Sequence, residues 1–170
     1  MSARRRSALD CALAANRHIF AVTQRQAGDD DPTQEALYGV GVVAYVFDFM
    51  PRHVRIMVRG LKRVTLMRVV GGGMLAANVV PFAESGGDTA QGETLARTVL
   101  EHFQAYLDVN FASEPYSRLP HIREPGVLAD VIASLMSTEI GQRQELLETG
   151  NATARLEKIL ALMKNGRRAA

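Results

Sequence analysis

The hydrophobic period changes once along this chain, and that change limits what it can fold into. Up to Pro81 the apolar residues come in short β-branched and aromatic runs: LYGVGVVAYVFDF, VRIMVR and LAANVVPF. In the second of these, Val54, Ile56 and Val58 alternate with Arg55, Met57 and Arg59, the period of a strand with one buried face. After the loop AESGGDTAQGE the spacing becomes that of a helix. Leu95, Val99, Phe103, Tyr106 and Leu107 fall on one stripe of a long helix that begins between Thr89 and Glu93. The fold class is therefore α+β with segregated halves, residues 1–84 and 85–170.

The first half opens with SALDCALAAN, Ser7 to Asn16, a short helix with capping residues at both ends. IFAVTQ follows as a strand, and AGDDDPTQEA as a loop. Leu37–Phe49 and Val54–Arg59 form a hairpin, Val64 to Val70 continues the strand character, GGGM breaks it and LAANVVPF resumes it. About five strands in this span predict a small, mostly antiparallel barrel or sandwich. In the second half, Pro115 and Pro120 interrupt the long helix and a second starts at Pro125 with Val127, Leu128, Val131, Ile132 and Leu135. A shorter helix spans Gln142 to Glu148. The last carries Leu156, Ile159, Leu160 and Met163, with Asn151 as its cap and Gly166 past its end.

With 170 residues, 47% of them hydrophobic, the chain can bury one good core or two small ones. Its single cysteine, Cys11, has no internal partner and lies among apolar neighbours, which reads as a small core residue in a reducing cytosol. No window approaches the roughly 20 apolar residues of a membrane span, so a cytoplasmic location without membrane contact is expected.

No reaction centre emerges. A phosphate-cradling G-x-x-x-x-G-K-[ST] is absent, and Gly71 to Gly73 mark a strand bulge or turn. His18, His53, His102 and His121 are scattered with no metal-ligand spacing, and no serine or lysine sits in a nucleophile motif. Catalytic residues, metal and cofactor are therefore all read as none. Glu145, Glu148 and Glu157 with Arg143, Arg155 and Lys158 read as solvated ion pairs. Arg52, Arg55, Arg59, Lys62, Arg63 and Arg68 crowd into 17 residues, a stripe that could follow a nucleic-acid backbone. The alternation of the arginines equally describes the solvent face of a half-buried strand, and no aromatics interleave with them as a stacking platform. Nucleic acid is thus the lesser partner reading, resting on Arg52, Arg55, Arg59 and Arg63.

Three segments carry a resemblance: YGVGVVAYV, VRIMVRGLKRVTLMRVV and VLADVIASLMSTEIGQRQELLETGNATARLEKILALM. Together they resemble the N-terminal substrate-binding domain of the bacterial ATP-dependent Lon protease, over roughly residues 7–164. The most specific positions are Leu128, Ala129, Asp130, Ile132 and Ala133, then Gln144, Leu147 and Glu148, then Arg155 and Leu156. The resemblance implies a PUA-like β-barrel with an N-terminal helix, followed by a helical bundle. It also implies recognition of unfolded or degron-bearing proteins and a part in assembling an oligomeric protease. The alternatives are a fragment of a complete ATP-dependent serine peptidase and an RNA-binding PUA-like barrel.

Three departures qualify it. The ATPase and Ser-Lys peptidase modules of that family are not in this chain, so the module is read as non-enzymatic, with any proteolysis carried out elsewhere. The family's apolar strand region before the first helix is also missing, which predicts an exposed sheet edge and hence self-association or cover by another segment. Third, where the family has a polar tight turn, this chain has FDFMPRH. Phe47 and Phe49, two apart, either plug one end of the barrel or form with Met50 and Met57 an apolar lip for unfolded chains. Phe47, Phe49, Met50 and Met57 are accordingly the expected substrate-binding residues.

Overall fold

The computed structural model describes residues 3–26, 28, 32–50, 55–72, 74–87, 89–110 and 122–166. Two compact units divide the chain, Met1–Phe82 and Ala83–Ala170.

In the first unit, helix α1 (Ala3–Ala14) leads into strand β1 (His18–Ala21). Strands β2 (Val40–Met50), β3 (Arg55–Val70) and β4 (Ala76–Pro81) follow. All neighbours are antiparallel, in the order β1-β2-β3-β4, which leaves β1 and β4 at the edges. Four strands are described where the sequence suggests about five, because the runs around Arg55 and Val64 are one continuous strand. Gly41 is required where β1 crosses β2: a Cβ there would lie 2.5 Å from the Ala21 carbonyl oxygen and 2.6 Å from the Phe20 ring. The core of this unit is small, with Leu9, Val40, Ala44, Val46 and Val64 as its buried apolar residues.

Helix α1 differs from its sequence reading in two ways. It starts at Ala3 rather than Ser7, since Arg4 to Arg6 are good helix formers and extend it by a turn. Cys11 is exposed, not a core residue. Leu9 is the buried position, and two residues further on the helix has turned by roughly 200°, which carries Cys11 to the other side.

The second unit consists of α2 (Ala90–Asn110), α3 (Pro125–Leu135), α4 (Ile140–Glu148) and α5 (Ala152–Gly166). The predicted stripe is buried: Val99, Phe103, Tyr106 and Leu107 of α2 pack with Leu128, Ala129 and Ile132 of α3 and Leu156, Ile159 and Met163 of α5. Burying each large side chain of this set contributes roughly 1.5–3 kcal/mol. Pro125 occupies the first turn of α3, where a missing N–H costs nothing. The Asn151 side-chain oxygen caps α5 by accepting from Ala154 N at 2.9 Å. Glu139 and Gln142 form a capping box that starts α4 two residues earlier than its apolar pattern suggests. Pro115 and Pro120 lie outside the described residues.

Arg155 corrects the sequence reading of a solvated pair, because its side chain is fully buried. Its Nη1 donates to the Thr149 carbonyl at 2.9 Å and its Nη2 to the Gly126 carbonyl at 3.3 Å. Carboxylates of Glu84 and Asp130 lie 3.4 and 3.2 Å from the guanidinium. A fork of five donors can tie α3, α5 and the segment before α2 together in this way, as a lysine could not. Lys158 and Glu145, by contrast, do form an exposed ion pair of the expected kind.

Candidate functional site

The hairpin of β2 and β3 is irregular at two points, and β3 and β4 at a third. Val46 pairs with Val58 but Asp48 with Met57, so Phe47 is an extra residue in β2. Ala44 pairs with Gly60 but Val43 with Lys62, which makes Leu61 an extra residue in β3. Leu66 pairs with Val79 and Arg68 with Asn78, leaving Met67 unpaired. Each bulge therefore displaces a large apolar residue, and all three are exposed: Phe47 at 46%, Leu61 at 52% and Met67 at 57%. The Met67 bulge is held by Gln34, whose side-chain oxygen accepts from Val69 N at 2.9 Å and whose amide donates to the Met67 carbonyl at 3.4 Å. In the same loop, its own backbone N–H and the Thr33 hydroxyl hold the Glu35 carboxyl below the usual carboxylate range.

A bulge reverses the alternation beyond it, which decides where the hairpin residues lie. Because Phe47 is the extra residue, Phe49 pairs with Ile56 on the side of Val46 and Ala44, opposite Tyr45. Phe47 and Phe49 thus do not act as an i, i+2 pair on one regular face. Phe49 is half-buried, Phe47 and Met57 are exposed, and the Met50 side chain lies outside the described residues. Phe47 stands in the register opposite the step from Met57 to Val58, all three exposed at one end of the hairpin, with Met57 on the side of Tyr45 and Val58 on the side of Val46. Val58 was not singled out by the sequence, where it belongs to the expected buried alternation.

The arginine stripe is split. Arg59 pairs with Tyr45 and Lys62 with Val43, on one side of the sheet; Arg63 pairs with Val42 on the other and is 8% exposed. Arg63 is therefore not a water-facing residue, and the expectation of a single solvent stripe fails at the Leu61 bulge. Gly60 immediately before it was the available signal, since glycine inside a strand often marks a bulge. Arg52 lies outside the described residues, as does the side chain of Arg55. His18 stacks edge-on against Tyr45 with ring centroids 5.7 Å apart, which places it beside Arg59 in the same cross-strand row.

A second feature of this unit is a groove of about 690 Å³ lined mainly by apolar residues of α1, β1, β3 and the start of β4, among them Leu9, Ile19, Ala21, Ile56, Val69 and Ala76. Both edge strands border it. Among the described residues there is no cluster of His, Cys, Asp and Glu that could hold a metal, and no helix long and apolar enough to cross a membrane.

The hairpin thus presents exposed apolar side chains beside cations among its described residues. Comparison with known proteins identifies the setting. The family model described as the ATP-dependent protease La (LON) substrate-binding domain matches residues 2–165. The Lon protease of Azorhizobium caulinodans is 31% identical over 93% of this chain, and that of Escherichia coli 29% identical over 92%. The chain spans only about a fifth of those relatives, 19% and 21% of their lengths. In fold it is similar to the solved N-terminal domain of the Mycobacterium avium complex Lon protease, with a TM-score of 0.69 at 22% identity, covering 96% of this chain and 87% of that one. A β-rich first unit with an N-terminal helix, followed by a helical unit, is the architecture shared with that domain. The chain belongs to the Lon substrate-binding domain family.

Proposed function

We propose that this chain is a client-binding module for ATP-dependent proteolysis in the cytoplasm, capturing unfolded or degron-bearing protein segments while ATP hydrolysis and peptide cleavage reside in other modules. The observation that carries this reading is the exposure of four large apolar side chains along one hairpin, Phe47, Met57, Val58 and Leu61. Client recognition must tolerate many sequences, and non-directional burial of apolar side chains against a flexible methionine does so. Each such side chain adds little after ordering costs, so one site binds weakly and repetition in an oligomer would strengthen capture.

Such repetition has a route in the edge strands β1 and β4 with the groove between them. Sedimentation of the chain as a monomer at all accessible concentrations would count against association through these edges.

The client reading is tested by binding an unfolded reporter protein to the wild type and to a Phe47→Ser, Met57→Ser double variant. Both residues are exposed, so the fold should survive and the affinity should drop about tenfold. Unchanged affinity in a folded double variant would falsify the proposal.

A further inference from the structure

We infer that the surface around Met57 selects apolar client segments flanked by acidic residues, and disfavours segments flanked by basic ones. This rests on the client-binding reading and adds the chemistry of the client. Antiparallel partners share a side of the sheet, and alternation continues regularly from Met57 to Arg59 on β3 and from Val43 to Tyr45 on β2. Met57, Arg59 and Lys62 therefore project from one side, all three exposed. The Leu61 bulge makes this possible: without the extra residue, Arg59 and Lys62, three apart, would face opposite ways.

Charge across the sheet is one-sided. Strand β3 carries Arg55, Arg59, Lys62, Arg63 and Arg68 and no carboxylate, β1 and β4 carry neither Lys, Arg, Asp nor Glu, and β2 contributes Asp48 alone, which pairs with Met57 and shares its side but is outnumbered there by Arg59 and Lys62. The chain as a whole is only +2, so this run of five cations without a carboxylate departs from its near-balanced charge. An apolar segment lying on Met57 and the neighbouring Phe47 brings its flanking residues within reach of Arg59 and Lys62. Carboxylates there gain charge-assisted contacts, whereas lysines meet like charge. Nucleic acid would satisfy the cations but leave exposed Phe47 and Met57 without apolar partners of matching chemistry, so a protein segment fits the combination better.

The experiment uses the whole chain and three fluorescent synthetic peptides with a common Leu/Phe/Val core, flanked on both sides by glutamates, glutamines or lysines. The expected order is glutamate over glutamine over lysine, with about fivefold between the first two at low salt, converging as salt is raised. In an Arg59→Gln, Lys62→Gln double variant the glutamate preference should disappear while the glutamine-flanked peptide binds as before. Equal binding of all three peptides overturns the charge selection and leaves the client reading standing, whereas absence of binding by all three overturns both. A glutamate preference that survives in the double variant also overturns the assignment. So does a short oligouridine that binds more tightly than the glutamate peptide and displaces it, a result that would reassign the surface to nucleic acid.

Discussion

The helical unit hides its apolar residues and the strand unit shows them. Among the described residues, the bundle packs thirteen buried apolar side chains into one cluster. Among its described residues the first unit has five buried apolar residues, yet holds eight large hydrophobics that are exposed, Phe47, Met57, Val58, Leu61, Met67, Val70, Met74 and Val80, against Val127 and Ile140 among those of the second. A 3.6-residue stripe presents one continuous face to its neighbours, and four helices can close around it. A four-stranded sheet with a twelve-residue helix has too little material to cover both of its sides, and its three bulges move further apolar residues out of the packing pattern. The difference is one of packing: the bundle closes over its apolar residues, and the sheet leaves part of its own uncovered.

That contrast can be broken most directly at Arg155. Arg155→Ala removes the buried guanidinium and leaves the Thr149 and Gly126 carbonyls without their donor, so the helical unit should lose about 3 kcal/mol, read as a lower urea midpoint by circular dichroism. Preservation of the midpoint would mean that the bundle does not depend on this node.

Gly86→Ala should cost about 2 kcal/mol by the same measurement. Gly86 has φ +75°, and a Cβ there would lie 2.5 Å from Asn151 Nδ2, so the side chain that caps α5 would have to move as well. The smallest effect is expected in the other unit. Phe47→Ser with Met57→Ser should shift stability by no more than about 0.5 kcal/mol, because both side chains are already exposed. A large loss there would show that the apolar surface serves the fold and would remove the contrast between the units.

Much of the bundle was legible in advance. The stripe from Leu95 to Leu107, Pro125 in the first turn of α3 and Asn151 as the cap of α5 depend on contacts within a few residues along the chain, which sequence spacing encodes directly. The hairpin was legible as a hairpin, but its faces were not. Phe49 turns to the side of Val46, and Arg63 to the side away from Arg59, because one extra residue at Phe47 and another at Leu61 each reverse the alternation. A bulge depends on the partner strand's register, and apart from Gly60 nothing in the local sequence announces it.

Cys11 and Arg155 failed as readings for a related reason. Apolar neighbours in sequence suggested a buried cysteine, and charged neighbours a solvated arginine, but burial is set by what packs from elsewhere in the chain. Sequence alone determined the order of strands then helices, the helical core stripe and the family resemblance, since each rests on local period or on residue order. Tertiary structure decided which hydrophobic and cationic side chains of the hairpin share a surface, because strand pairing and its bulges, not residue type, choose the side from which each one projects.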